Sequence, residues 1–346
     1  MKKRDVFTLA GTVVGVGAGV LAQKSVVSRR RRNDPEAGER FGTRRGERAR
    51  LVHLPDGADL YVEEAGPSSS KGALFIHGSA LRTDVWHYQM RGIGDHRLVF
   101  MDLRGHGRSQ PKGDLDFTID NLVRDIEAVI EDSELEEVVL VGHSVGGMIA
   151  LQLASSRMEW LGARVKGLVL VNTTYRPAYD TSIGGAIVSK LERVIRHPLD
   201  AVGNYHSSIE RLRKIVRPTD SVFLGVAFAA FGPGASAKQI DFTYDMTSDT
   251  SAGVLFDLVK SYRDYDVTEL LGDLTVPVLV LTGTHDRLTV PKASQYLAEH
   301  LPKAELHVFE NCGHMTMLER HDDFNAMLDR FLSDTLGADR SRRGSS

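Results

Sequence analysis

Cysteine is almost absent: the 346 residues contain one, Cys312. That count excludes an intrachain disulfide and any zinc site built from several thiolates. A strong net charge is absent too, the formal balance being -3. The small total hides an asymmetry, because residues 1–50 hold thirteen Lys/Arg against five Asp/Glu. The rest of the chain is therefore acidic. It lacks the basic surface that phosphate backbones require, and no nucleic-acid partner is expected. No repeat at solenoid spacing is present. Long uncharged runs are scarce, and the one at the start, Val6 to Ala22, reaches only seventeen residues. That is the short limit for a membrane-spanning helix.

Within this run Gly11, Gly15 and Gly19 recur at every fourth position and share one helix face. Small residues at that spacing let two membrane helices approach closely. The basic cluster from Lys24 to Arg32 suits anionic headgroups. Residues 6–22 are thus expected to be a retained membrane anchor with a capacity for self-association, leaving the main body on the cytoplasmic side. The competing expectation is a signal peptide cleaved after Val20-Leu21-Ala22 and a secreted product. Positive charge directly after the run opposes that route. Residues 29–50 are rich in Arg, Glu and Gly and show no apolar period, which predicts a solvated linker. Residues 1–50 are accordingly expected to be an anchor and a basic linker.

Short apolar runs follow at Leu51–Leu54, Leu60–Glu63, Ala73–Ile76, Arg97–Met101, Glu137–Val141, Val165–Val171, Val276–Thr282 and Glu305–Phe309. The first two are joined by Pro55-Asp56-Gly57, a hairpin signal. Amphipathic helical spacing appears between Thr118 and Glu131, where Leu122, Ile126, Val129 and Ile130 align. Met148–Ala154 and Phe324–Leu332 also read as helices. Strands alternating with helices predict an α/β fold, with a mostly parallel central sheet covered on both faces and an antiparallel edge hairpin. Strand signals stop between Tyr175 and Tyr262, where Ile187–Ile195 and Asp220–Phe231 look helical. The expected organisation is a core of residues 51–174 and 263–336, a helical lid inserted at 175–262, and a disordered tail at 337–346.

Gly142-His143-Ser144-Val145-Gly146 follows a strand directly and precedes a helix. A G-x-S-x-G turn in that context exposes its serine at the sheet edge, above a helix N-terminus that favours developing negative charge. A serine hydroxyl needs a base, and His314 follows the last strand in Asn311-Cys312-Gly313-His314. A carboxylate must orient that imidazole. Asp286 lies just past the strand Val276–Thr282, which gives the chain order Ser, Asp, His. The end of the preceding strand offers only Asn172-Thr173, with no carboxylate. Oxyanion donors are expected from the backbone N–H groups of Val145 and Ser79, the latter in His77-Gly78-Ser79-Ala80, with the Ala80 N–H as the alternative. His77 itself reads as a structural loop residue. Apolar lining is assigned to Trp86, Phe228 and Phe231, with Tyr88, Val145 and Phe223 as further candidates, and Cys312 reads as a small buried hydrophobe.

These motifs, with Asp102-Leu103-Arg104-Gly105-His106-Gly107-Arg108-Ser109, resemble the α/β-hydrolase superfamily over residues 50–335. The resemblance is greatest to the lid-bearing group of esterases, monoacylglycerol lipases, carbon–carbon bond hydrolases and cofactor-free haloperoxidases. It implies that the Asp102–Ser109 loop is structural, that Asp102 and His106 are not catalytic, and that neither metal nor organic cofactor takes part. Similar epoxide hydrolases and haloalkane dehalogenases carry aspartate at the elbow, which Ser144 argues against. The expected function is serine-dependent cleavage of a small carboxylic ester with an apolar acyl or alcohol part. The alternatives are carbon–carbon bond hydrolysis or acyl transfer with the same triad, and a ligand-binding receptor that keeps a vestigial pocket.

Overall fold

The computed structural model describes residues 23–43, 45–109, 116–177 and 220–337. The apolar runs pair into one eight-stranded sheet in the order β1-β2-β4-β3-β5-β6-β7-β8. The strands are β1 (Arg48–His53), β2 (Asp59–Ala65), β3 (Lys71–Ile76), β4 (Arg97–Met101), β5 (Glu137–His143), β6 (Val165–Val171), β7 (Val278–Gly283) and β8 (Ala304–Phe309). β1 pairs antiparallel with β2, and β2 antiparallel with β4. From β4 to β8 every pairing is parallel.

Alternation along each strand divides the core, since neighbouring side chains face opposite sides. Leu74 and Ile76, Leu140, Leu168 and Leu170, and Val278 and Val280 face one layer. That layer includes Ile126 and Val129 of a helix at Ile119–Asp132, and Ile149 and Leu153 of a helix at Val145–Ser156. Ala73 and Phe75, Val139 and Val141, Val169 and Val171, and Leu279 and Leu281 face the other. There Phe324, Leu328 and Leu332 recur at helical spacing on the closing helix His321–Leu336. Both faces of the central strands are buried, so these strands read as continuous apolar runs in the sequence.

Between β6 and β7 the described residues form three α-helices, Asp220–Ala230, Ala237–Asp249 and Ala252–Ser261. Ser236 and Ser251 cap the latter two by accepting from backbone N–H groups of the first turn. The expected helix at Ile187–Ile195 lies outside the described residues, as does the tail beyond Gly337.

The expectation of a solvated linker at residues 29–50 is corrected. Residues 23–32 are helical and Val27 is fully buried in the second core layer. Arg31 donates twice to Asp241, at 3.0 and 2.8 Å, and lies over the Phe223 ring. Asp34 accepts from Lys238 N at 2.6 Å and from the Ser236 hydroxyl at 3.2 Å. Phe41 stacks on Phe242 with ring centroids 4.7 Å apart. The chain then enters the sheet at Arg48, before the expected start at residue 51. Two apolar anchors and a series of charged contacts hold this strap. Such contacts leave no hydrophobic period, so composition reads them as solvation. Among the described residues no helix is long and apolar enough to cross a membrane. Residues 6–22, with Gly11, Gly15 and Gly19, lie outside the described residues.

Candidate active site

Ser144 occupies the single residue between β5 and the helix Val145–Ser156, with φ 54° and ψ −121°. A side chain in this region costs on the order of 1–3 kcal/mol and persists only where the surroundings enforce it. Here the Ser144 N–H donates to Val171 O at 2.9 Å. Its carbonyl accepts from Gly147 N at 2.9 Å and from the Thr173 hydroxyl at 2.6 Å. The flanking glycines answer to close packing. A Cβ on Gly146 would lie 2.2 Å from Ile76 O, and one on Gly142 would lie 2.5 Å from Gly146 O.

Asp286 and His314 come from the turns after β7 and β8. His314 Nδ1 lies 2.9 Å from Asp286 Oδ2. An ionised carboxylate only accepts, so Nδ1 carries the proton and Nε2 is left as the basic nitrogen. Asp286 Oδ2 also accepts from Asn172 Nδ2 and from the Thr289 hydroxyl, both at 2.8 Å. Its Oδ1 accepts from the N–H groups of Leu288 and Thr289, at 2.9 and 3.0 Å. Burial alone would raise this carboxyl, but the facing imidazole and these hydrogen bonds hold it below the usual carboxylate range. His314 is fixed through its backbone as well: its N–H donates to Ala230 O at 2.8 Å, and His143 Nε2 donates to its carbonyl at 3.0 Å. The His143 and His314 rings lie 4.7 Å apart, which brings the histidine against the elbow.

Val145 opens the helix, so its N–H is among those without an intrahelical acceptor. Ser79 lies in a turn closed by Leu81 N donating to Gly78 O at 3.2 Å, next to Ala80 at φ 61°. This turn abuts the nucleophile position: a Cβ on Gly78 would sit 3.0 Å from Ser144 Cβ. The Ser79 side chain meets the Tyr262 hydroxyl, just past the third inserted helix.

His77 is fully buried. Its Nε2 accepts from Leu103 N at 3.0 Å and its Nδ1 donates to Gly78 O at 2.8 Å. Burial lowers its pKa to about 3, so it stays neutral and supports the loop, as the sequence implied. Asp102 accepts from Thr83 N and Arg108 N, at 2.6 and 2.8 Å, and burial raises its carboxyl to about 6. Arg104 in the same loop forms a buried two-pronged pair with Asp125. Cys312 is buried, and burial pushes its thiol up.

The expected lining is corrected in part. Trp86 is completely buried, edge-on to Phe75 at 5.2 Å, and is a core residue. Phe231 is 1% exposed, and its backbone packs against Gly313. Phe223 is buried beneath Arg31, and the Tyr88 hydroxyl donates to Glu36 at 2.7 Å. Phe228 is 67% exposed and carries Arg287 over its ring. Aromatic residues in an insertion fit a core and a pocket equally well, and only tertiary packing separates the two. Sequence reasoning missed Asn172, Thr289, His143 and Glu319. The available signal for Asn172 was its place at the carboxyl end of a parallel strand, where such folds collect functional groups.

The family profile for the alpha/beta hydrolase fold matches residues 74–321. The chain belongs to this family of hydrolase enzymes. It is similar to the AB hydrolase superfamily protein YisY of Bacillus subtilis, 28% identical over 275 residues, covering 79% of this chain and 94% of that one. It is also similar to a non-heme chloroperoxidase of Streptomyces lividans, 29% identical over 282 residues, covering 79% of this chain and 95% of that one. Among solved structures, the esterase EaEST of Exiguobacterium antarcticum superposes with a TM-score of 0.65 at 22% identity. That match covers 83% of this chain and all of the esterase chain, and it shows a shared fold.

Proposed function

We propose that the protein is a serine hydrolase that cleaves carboxylic esters with an apolar acyl or alcohol part. The observation that carries this reading is the 2.9 Å contact between His314 Nδ1 and Asp286 Oδ2, beside an elbow that holds Ser144 at φ 54°. Ser144 Oγ attacks the ester carbonyl while His314 Nε2 takes its proton. Negative charge on the carbonyl oxygen is met by the N–H groups of Val145 and Ser79. Asp286 stabilises the imidazolium without taking up its proton. His314 then protonates the departing alkoxide, and water releases the acyl group by the same steps in reverse order of roles. Every proton moved in this cycle passes through one imidazole, so no added cofactor is required for it.

The inserted segment, residues 175–262, is assigned to substrate selection, with Phe228 as its contact residue. Residues 6–22 are assigned to membrane attachment, supported by their lack of charge and by the basic residues that follow. The test of the chemistry is labelling by a fluorophosphonate probe, followed by turnover of p-nitrophenyl esters of increasing chain length. Ser144→Ala should abolish labelling and turnover while keeping the fold, and labelling at the wild-type rate would remove the assignment. Phe228→Ala should alter chain-length preference more than acetate turnover, and an unchanged preference would move the pocket elsewhere. Attachment is tested by fractionating the full chain beside a version starting at Gln23, which keeps the strap. Carbonate-resistant binding of the full chain alone supports an inserted anchor.

A further inference from the structure

Five residues after His314, Glu319 ends a short helix at Thr316–Glu319. Its side chain is largely enclosed and points back into the protein. Oε1 accepts from Gly313 N and Oε2 from Gly232 N, both at 2.8 Å. The first donor belongs to the loop that carries His314. The second lies just past the inserted helix Asp220–Ala230. The two backbone segments are already in close contact. A Cβ on Gly232 would lie 2.2 Å from Asn311 O, and one on Gly313 would lie 2.5 Å from the Phe231 carbonyl carbon. The His314 N–H reaches across the same seam to Ala230 O at 2.8 Å.

We propose that Glu319 is a positioning residue for His314, its carboxylate clamping the histidine loop to the exit of the inserted helix. The proposal rests on the assignment of His314 as the base. Both oxygens serve as acceptors, and the ionised form accepts more strongly at each than a protonated carboxyl, whose hydroxyl oxygen is the weaker acceptor. Among the described residues no cation forms an ion pair with this charge. The Cys312 thiol lies beside it and favours the ionised form, Asp286 faces it from the turn after β7, and the neighbouring Arg320 is paired with Asp323 at 2.7 Å. The insertion presents the Gly232 N–H, while Arg287 is bound to the carbonyls of Phe228 and Phe231. Burial therefore raises the carboxyl to about 7, against the pull of the two backbone donors. The clamp is at full strength above that pH and one arm weakens below it. Displacing a catalytic group by a fraction of an ångström to 1 Å costs up to about 100-fold in rate.

The test compares fluorophosphonate inactivation of wild type and Glu319→Gln across a range from about pH 5 to 9. An amide has one acceptor oxygen and sets its NH2 group against the second N–H. Taking the ratio of the two rates at each pH removes the effects that both proteins share. The wild-type advantage should be close to parity at the acid end and rise roughly 10- to 100-fold through about pH 7. A ratio that stays flat with pH, at parity or elsewhere, overturns the proposal. If Glu319→Gln does not fold, Cys312→Val and Cys312→Ser take its place. Loss of the thiol beside the carboxylate should move the acid limb of inactivation to higher pH, and a hydroxyl there, a stronger donor, should move it lower. Coincident limbs in those two variants overturn the clamp. Ser144→Ala is run in parallel: retained labelling there overturns the serine-hydrolase reading and the clamp together, whereas a silent Ser144→Ala with a flat ratio overturns the clamp alone.

Discussion

Replacing Asp286 with asparagine exchanges one oxygen for an NH2 group in a place built wholly from donors. Oδ1 faces two backbone N–H groups, and Oδ2 faces His314 Nδ1, Asn172 Nδ2 and the Thr289 hydroxyl. The amide oxygen must stay with the two fixed N–H groups, because the backbone cannot turn away. The NH2 group then meets three donors. The Thr289 hydroxyl can rotate and accept. Asn172 Nδ2 keeps only a 3.3 Å contact with Gly313 O. His314 accommodates the change by giving up its Nδ1 proton and carrying one on Nε2, which disables it as a base. The expected loss in kcat is about 10⁴-fold, as for the corresponding change in the serine-protease triad. The stability cost follows from the displaced donor, at about 1–3 kcal/mol. In the wild type the folded carboxyl sits below its unfolded value, so its contribution is complete above about pH 3.9 and is lost as pH falls through the folded pKa. Thermal melts should therefore separate wild type from Asp286→Asn at pH 7 and draw them together well below pH 4. Turnover within tenfold of wild type, or melts that stay equally separated in acid, would refute this account of the site.

Ser144→Gly should be more stable than Ser144→Ala by about 1–3 kcal/mol in urea melts, because only glycine relieves the enforced backbone at φ 54°; equal midpoints would mean the turn holds no strain. Asp125→Ala should cost about 3–5 kcal/mol by leaving the buried Arg104 with Asp56, exposed at its rim, as its remaining described carboxylate beside the Asp116 carbonyl, and a loss below 1 kcal/mol would count against that. Val27→Asp should lower the melting temperature of a chain starting at Gln23 by several degrees, because a carboxylate would enter a fully buried site, and an unchanged melt would show that the strap is dispensable.

The fold was legible because its signals are local, and the proposed reacting residues rest on signals of the same kind. A strand running straight into Gly142 and a helix starting at Val145 define the elbow over a dozen residues, and chain order assigns Asp286 and His314. Asn172 shows the limit of that method. In the sequence, an amide at the end of β6 counts only as a missing carboxylate. In the fold, its NH2 group is one of the donors that keep Asp286 ionised. The strap escaped for a related reason, since Arg31 and Asp34 find their partners about two hundred residues away. Trp86 and Phe231 were assigned to a pocket because an aromatic side chain carries no mark of which way it will face.

Four neighbouring strands, β5, β6, β7 and β8, each end beside one member of the site: Ser144, Asn172, Asp286 and His314. A slip of one residue in any of these pairings would turn a contributing side chain to the opposite face of the sheet. On the proposed assignment, covalent capture of Ser144 would report on register across these four strands. During refolding, labelling competence should return only with the last of these alignments, later than the recovery of helical signal. A chain that has collapsed and regained its helices but mispaired one edge would look folded by spectroscopy and remain silent to the probe.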